Sequence, residues 1–477
     1  MPGAVAAVDL GATSGRVVLG RFGSGTVDVS TVHRFPNTPV ATPDGLHWNV
    51  LELYRQVVLG LGLAVASEPT LVSVGVDSWG VDYALVHSGR MLGTPYHYRD
   101  QRSEEGVRTV HAAISPAELY ARNGLQFLPF NTLYQLATEA PVMLRADAML
   151  LIPDLVTYWL SGEQACETTN ASTTGLLDVT SREWDTELMT LLGLPARLLT
   201  PLVRPGTRVG GLRPGVLDAV GAGDSVTVTA VGSHDTASAV VAVPMESTGA
   251  AYISCGTWGL VGLELEEPLL TEESRLAGFT NEGGVDGRVR FLHNVMGLWL
   301  LTESMRQWER EGDSPDLHTL LEQAAAVDVA VSEFDVDDAR FLAPGDVPAR
   351  IRDYLTDHGR VAPRTRPELV RSILESLAAA FAAAVDRAAG LSGRTVDVIH
   401  LVGGGSQNRL LCQLTADRSG RPVLAGPVEA TALGNLLVQA RAHGLVAGDL
   451  EALRSLVSGS VVPARYLPRT RRQRRCG

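Results

Sequence analysis

Ala7-Val8-Asp9-Leu10-Gly11-Ala12-Thr13-Ser14-Gly15-Arg16 is the stretch whose reading decides the fold of this chain. An apolar run from Ala4 to Leu10 leads into a glycine-bounded turn, with an acid one residue before its end. Val17 to Gly20 is apolar again and Val27 to Phe35 alternates, so the opening reads as a β-meander with a tight first turn. An acid at a strand end can hold Mg2+ directly or through water, because Mg2+ prefers oxygen ligands and keeps several waters. Small residues in the turn let backbone N–H groups face a phosphate. Taken by itself, the same stretch is equally a plain hairpin with a glycine turn.

Working outward, Val50 to Ala66 reads as a helix and Leu71 to Val76 as a short strand running to Asp77. Strand–helix–strand alternation is the α/β pattern. Residues from about Ser103 to Thr200 read as mostly helical, with turns at Asn123-Gly124 and Ser161-Gly162. Val226 to Val231 is a strand running into Gly232-Ser233-His234-Asp235-Thr236, and Pro244 to Gly249 is a polar break. Ala250 to Ser254 then restarts a strand that turns at Cys255-Gly256-Thr257. The second half therefore opens as the first does, which points to duplication. Glu368 to Ala389 is a long helix with an apolar stripe at Leu369, Ile373, Leu377, Phe381 and Val385. The chain divides into 1–243, 244–445 and a tail, 446–477.

With 477 residues the chain exceeds one ordinary core, and two domains are expected. Hydrophobic residues at 45% and charged residues at 19% fit a soluble globular protein. No run is expected to reach the roughly 18 apolar residues of a membrane helix. Met1 to Leu10 lacks a basic n-region and reads as a first strand, not a secretion signal. Cys166, Cys255, Cys412 and Cys476 form no CxxC pair, which fits free thiols in a reducing cytoplasm. The formal charge, 40 − 53 = −13, argues against a nucleic-acid binder. Five arginines between Arg469 and Arg475 read as a solvated tail. The chain has no lysine, so all 40 basic residues are arginine. That excludes a P-loop, protein-kinase chemistry, Schiff-base aldolases and pyridoxal-phosphate enzymes. Phosphate handling is left to backbone N–H groups, hydroxyls, arginine and metal.

Four further motifs carry chemistry. Ser254-Cys255-Gly256-Thr257 is a second phosphate-facing hairpin or a bland turn. Gly403-Gly404-Gly405 follows the strand Val396 to Val402 and precedes a helix. Three glycines there are costly in chain entropy, which suggests that a nucleotide packs on bare backbone. In Gly232 to Thr236 the Asp235 carboxylate can accept a proton from a hydroxyl, or His234-Asp235 can cap the helix that follows. Asp77 and Asp82 can likewise be caps or turn residues. In His293-Asn294-Val295-Met296-Gly297-Leu298-Trp299 the apolar residues read as core. Asn294, placed just before a helix, is either an N-cap or a nucleotide contact.

In this order the motifs resemble the FGGY family of carbohydrate kinases, in the actin–hexokinase–Hsp70 superfamily, from about residue 4 to 440. The resemblance rests on the opening stretch, Val76-Asp77-Ser78-Trp79-Gly80-Val81-Asp82, Ser233 to Val240 and Gly256-Thr257-Trp258. It continues in Thr280-Asn281-Glu282-Gly283-Gly284, Asn294 to Leu301, Val402 to Asn408 and Ala425 to Ala430. It implies two actin-like (ribonuclease H-like) α/β domains with a nucleotide and sugar cleft between them. Residues 1–243 would bind sugar and phosphate, and residues 244–445 the nucleotide. Ala12, Thr13, Ser14, Gly15 and Arg16 would bind ATP phosphates, with Thr257 from the other domain. Asn294, Thr302 and Gly404 would touch the nucleotide, although Thr302 stands where the nearest family members carry Gln. Gly80, His234, Asp235 and Thr236 would hold the sugar, Asp235 would be the general base, and Asp9 would organise Mg2+. The implied reaction moves the ATP γ-phosphate to a ketose, L-rhamnulose, in L-rhamnose degradation. L-fuculose and L-xylulose are the alternatives. A non-kinase actin-like ATPase would lack the strand-end acid of Gly232 to Thr236. A ketose and ATP are the expected partners, with no nucleic acid and no membrane, and oligomeric state is not readable.

Overall fold

The structure, a computed structural model, describes residues 3–23, 25–245 and 249–469. The expected meander is there: β1 (Gly3–Leu10), β2 (Ser14–Phe22) and β3 (Val27–Pro36) pair antiparallel in turn. On its other side β1 pairs parallel with β4 (Leu71–Ser78). Two later strands, β5 (Arg208–Gly211) and β6 (Thr227–Thr229), complete the sheet, in the order β5-β6-β4-β1-β2-β3.

Helix α1 (Val50–Ser67) starts where Asn49 accepts the Glu52 N–H and buries Val50, Leu53, Val57, Leu61 and Ala64. Its Gly60 is a packing requirement, since a Cβ there would stand 2.4 Å from Val17 Cγ2 on β2. The expectation that no run suits a membrane span needs correcting, because α1 is long and apolar enough by length and composition. The apolarity has a local cause: one stripe of the helix covers the sheet, and Leu51, Leu59 and Leu63 add to it from the exposed face.

The stretch expected to be mostly helical contains Ser103–Ala113, Pro116–Asn123 and Ile152–Ser161. Gly124 (φ 67°) and Gly162 (φ 94°) end two of these helices in the left-handed region, where glycine carries no Cβ penalty. It also contains a strand, Ala148–Leu151, paired antiparallel with Tyr83–His87. That strand is four residues of Ala, Met and Leu, good helix formers without a period of two, so tertiary pairing overrides propensity.

The second sheet repeats the first. Its strands β7 (Ala250–Cys255) and β8 (Trp258–Leu265) form an antiparallel hairpin. With β9 (Val289–Met296), β10 (Val398–Val402), β11 (Val423–Ala425) and β12 (Ala464–Tyr466) the neighbours run β9-β8-β7-β10-β11-β12, and a seventh strand, Thr280–Gly283, flanks β9. This is the order β3-β2-β1-β4-β6-β5, with the same parallel pairs beside the hairpin and the same antiparallel edge. The duplication suggested by the two openings is thus present in the topology. Within the second unit, helices α3 (Trp299–Arg310) and α4 (Arg366–Ser392) follow. The predicted stripe of α4 is wholly buried. Thr365 caps its start by accepting the Glu368 N–H, and Gly393 (φ 67°) ends it.

Contacts divide the chain into two units. One comprises Met1–Glu246, Glu264–Phe291 and Ala430–Val461, and the other Ser247–Leu263, Leu292–Glu429 and Val462–Gly477. The first unit contains α2 (Asp235–Val241) and α5 (Ala430–Ala442). Of the arginine tail, Arg469 pairs with Asp417 at 2.7 Å, and Arg471 to Arg475 and Cys476 lie outside the described residues.

Helix α5 reaches α2 because Gly434 has no side chain: a Cβ there would stand 1.8 Å from the Ser238 carbonyl oxygen. Gly434→Ala is expected to lower the unfolding free energy by about 1–3 kcal/mol, the usual range for overpacking. Urea titration of the purified variant checks this, and an unchanged midpoint would contradict the close packing.

Candidate active site

Strands β6, β4 and β1 are neighbours, and their carboxyl ends share one edge. Register pairs Asp9 with Asp77, and a bridge joins Ser78 to His234. Asp9, Asp77 and Asp235 are thereby gathered, close enough for Asp77 to feel both other charges. Asp77 is fully buried; its Oδ2 accepts Asn435 Nδ2–H at 2.5 Å, and among the described residues its Oδ1 has no hydrogen-bond partner. Burial first, then the Asp9 charge, push its carboxyl well above the usual range, against the Asn435 bond. Arg16 offsets Asp9 through Nε at 2.8 Å and Nη2 at 2.7 Å. The cap or turn reading of Asp77 falls, since it lies inside β4.

Helix α2 begins at Asp235, and His234 at the N-cap position makes no side-chain cap bond. The capping alternative holds only in that Asp235 starts the helix, since His234 supplies no cap bond. Asp235 Oδ1 accepts the Thr236 hydroxyl at 3.0 Å and lies 3.5 Å from His234 Nε2. The Asp235 side chain is 33% exposed, so the carboxylate is both held and reachable. His234 Nδ1 sits 3.2 Å from Glu282 Oε2 and 3.1 Å from Arg290 Nη2. Arg290 is fully buried; its Nη1 stands 3.1 Å from Glu282 Oε2, and its Nε–H donates to the Gly283 carbonyl at 2.8 Å. Burial would raise the Glu282 carboxyl, but the Arg290 charge, helped by His234, holds it below the usual range. From the other side, buried Glu167 accepts the Ser233 N–H at 2.8 Å and hydroxyl at 2.9 Å, which fixes the approach to His234.

Gly80 faces Thr173, whose Oγ1 would stand 2.9 Å from a Cβ. The next residue, Val81, holds φ at 68°, a strained conformation for a β-branched residue. Its N–H donates to Thr173 Oγ1 at 3.2 Å and its carbonyl accepts the Thr132 hydroxyl at 2.6 Å. Asp82 is buried and is neither cap nor exposed turn residue. It accepts hydrogen bonds from Trp48, Trp79, the Tyr98 N–H and Gln135. Burial nevertheless pushes its carboxyl up to about 6. Trp48 packs on Trp79 and stacks on His97, each at 4.0 Å between ring centres, beside the Gly80 turn.

In the opening turn the Gly11 N–H closes on the Ser14 carbonyl at 3.0 Å. Gly15 is required by packing, because a Cβ would stand 2.3 Å from the Phe35 ring. In the second unit the Leu298 and Trp299 N–H groups donate to the Gly256 and Thr257 carbonyls at 2.9 and 3.1 Å. The start of α3, which carries Thr302, is thereby tied to the Thr257 turn. Gly403 (φ 79°) and Gly405 pack on Cys255, with Gly405 leaving no room for a Cβ beside its Sγ. Only Gly404 of the three faces open space. The N-cap reading of Asn294 is corrected: it lies within β9, and α3 starts later, at Trp299.

Comparison with known proteins identifies the family. The N-terminal domain model of the FGGY family of carbohydrate kinases matches residues 4–242, and its C-terminal domain model matches residues 251–443. The chain belongs to the FGGY family of carbohydrate kinases. It is 43% identical over 472 residues to the rhamnulokinase of Pectobacterium carotovorum subsp. carotovorum (strain PC1), covering 98% of this chain and 93% of that one. It is 38% identical to the rhamnulokinase of Bacteroides thetaiotaomicron, covering 97% and 95%. Gluconate kinase from Lactobacillus acidophilus shares the fold at a TM-score of 0.78 and 15% identity, covering 98% and 94%. Plasmodium falciparum glycerol kinase with ADP shares it at 0.77 and 14%, covering 100% and 96%. The two repeated sheets are the actin-like domains of this FGGY kinase.

The first unit brings Asp9, Arg16, His234, Asp235 and Thr236 to the strand ends, with the Gly80 turn following β4. The second groups Thr257, Thr302 and Gly404 around the β7–β8 turn. Asp77, Glu167, Glu282 and Arg290 are not among the expected site residues, although the stretches that carry the resemblance include Asp77 and Glu282. The stretch Asp77 to Asp82 was the available signal for the first, as two acids flank a tryptophan and a glycine.

Asp82 titrates near 6 in the fold against an ordinary 3.8, so the fold favours its protonated form. The stability this supplies is complete below the ordinary value and is lost as pH rises through about 6. Asp82→Asn removes that titration. The unfolding free energy of the wild type minus that of the variant is expected to fall by about 2 kcal/mol between pH ~4.5 and ~7.5, one unit being about 1.4 kcal/mol. Urea unfolding at the two pH values measures it, and a pH-independent difference would contradict the assignment.

Proposed function

We propose that this kinase phosphorylates L-rhamnulose with ATP, giving L-rhamnulose 1-phosphate and ADP in L-rhamnose degradation, in the cytoplasm. The observation that carries the chemistry is Asp235: held at Oδ1 by Thr236, close to His234, and still one-third exposed. The choice of sugar is supported by the relatives named rhamnulokinase, which span nearly the whole chain.

Phosphoryl transfer needs positioning and charge neutralisation more than covalent help. In this reading Asp235 aligns the sugar hydroxyl and takes its proton. Gly80, His234 and Thr236 hold the sugar, His234 being kept in place by Glu282 and Arg290. Ala12, Thr13, Ser14, Gly15 and Arg16 serve the ATP phosphates. Thr257, Asn294, Thr302 and Gly404 serve the nucleotide from the second half of the chain, 244–445, with sugar and phosphate handled by 1–243.

The residues present fit Mg2+. Asp77 Oδ1 is buried without a partner among the described residues, beside Asp9 and Asp235. Among the described residues no group of three or more His, Cys, Asp or Glu could hold a metal by itself. That suits an ion which keeps waters and shares substrate phosphates in place of an all-protein cage. Asp9, with Asp77, would hold it, and when bound it would neutralise charge on the phosphates.

Asp235→Asn is expected to retain ATP binding and to lose ketose-dependent ADP release by about 10²–10⁴-fold, the usual worth of a general base. A coupled ADP-release assay over L-rhamnulose, L-fuculose and L-xylulose tests both halves of the proposal. Wild-type turnover by the variant would sink the base assignment. A higher kcat/KM for another ketose would reassign the sugar.

A further inference from the structure

The first unit also holds an open pocket of about 720 Å³, lined by Asn123 and by segments of 168–205 and 281–289, with Arg182, Glu183 and Arg204 exposed at it. None of Gly80, His234, Asp235 or Thr236 lines it, and its size suits a small molecule. Its wall includes Glu282, whose carboxylate is already committed to Arg290 and His234. Asp286 is likewise committed, accepting two hydrogen bonds from Arg441 at 2.6 and 2.7 Å. Arg288 is neutralised by Glu451 at 3.3 Å and by Glu266.

Arg182, Arg204 and Glu183 remain. Among the described residues neither arginine is paired with a carboxylate, although both line the cavity. Arg182 also occupies the left-handed region, at φ 60°. A side chain held there costs of order 1–3 kcal/mol and is retained when its surroundings over-determine it. Here they do: Asp178 accepts the Thr180 and Ser181 N–H groups at 3.1 and 2.7 Å, and its carbonyl accepts the Arg182 N–H at 2.8 Å. The guanidinium lies over bare backbone, since a Cβ on Gly287 would stand 2.8 Å from Arg182 Nη1.

Guanidinium groups match the planar, multi-oxygen geometry of phosphate, and a carboxylate accepts from sugar hydroxyls. We infer that this cavity is a binding site for a phosphorylated sugar, with Arg182 and Arg204 on the phosphate and Glu183 on the hydroxyls. The site stands whether or not L-rhamnulose is the substrate.

The test is isothermal titration of the full chain, without ATP, with three probes: L-rhamnulose 1-phosphate, inorganic phosphate and L-rhamnulose. The wild type is compared with Arg182→Gln/Arg204→Gln and with Glu183→Gln. Besides product binding at the active site, the wild type is expected to show a second class of sugar-phosphate site that the double arginine variant weakens about tenfold or more, as loss of charge-assisted bonds requires. Ketose-dependent ADP release without added sugar phosphate should be unchanged in that variant. Glu183→Gln should weaken the sugar phosphate and leave inorganic phosphate untouched. Identical sugar-phosphate isotherms for wild type and arginine variant overturn the site. Inorganic phosphate binding as tightly as the sugar phosphate overturns the sugar assignment. Absence of ketose turnover, with arginine-dependent binding intact, counts against the proposed function and not against this cavity.

Discussion

A carboxylate kept wholly out of water is the constraint on which the first unit depends. Asp77 lies at the end of a central strand with Asp9 beside it, and an unpaired buried charge is costly. Its carboxyl accepts a hydrogen bond from Asn435, 358 positions away in sequence. The chain must therefore return to its first sheet after building the second. Helix α5 makes that return, and the sheet is shaped to receive it. Gly75 is bare where Asn435 and Gln439 press in, each 2.7 Å from where a Cβ would stand, and Gln439 Nε2–H donates to the Ala6 carbonyl at 2.9 Å. The same helix packs through Gly434 on α2, whose first residue is Asp235. One late segment thus supports both the buried acid and the proposed base.

The absence of lysine sets how charge is balanced around these acids. Arg290 uses three nitrogens on three partners: Gly283, Glu282 and His234. A point-charge ammonium has no fixed fork with which to hold all three in one plane. Arg16 likewise brings two nitrogens to Asp9. Because Arg290 is fully buried, removing either it or Glu282 would strand an uncompensated charge, the situation that destabilises most. The fork therefore contributes to rigidity as well as to charge, and His234 inherits that rigidity at the side facing Asp235.

Periodic and punctuated features were legible in the sequence. The stripe of α4, the opening meander and the second hairpin follow from local pattern alone. What was not legible depends on partners distant in sequence. Asp77 reads as a turn residue until the parallel register with β1 places it inside a strand. Asn294 reads as a helix cap until β9 is seen to run on to Met296. The glycine run suggested a ligand, yet two of its three members answer to Cys255. Arg290 carries no local signal, because its three partners come together only in the folded unit. Val81 has a side chain that argues against its backbone angle, and two threonines elsewhere in the chain hold it there.

Duplication explains why the two halves can share a scaffold and still differ in chemistry. Counting back from each hairpin turn, the pair Asp9 and Asp77 in the first sheet corresponds to Ser254 and Val402 in the second. The strand order is the same, so the backbone presents the same edge twice. Only the side chains at that edge change, from two acids to a hydroxyl and a hydrocarbon. An edge bearing acids can hold a cation and move a proton, whereas a neutral edge with an open Gly404 can accept a polyanionic nucleotide without repulsion. In the proposed function the halves divide the labour at two paired positions on one sheet edge, and the repeated topology is what makes those positions equivalent.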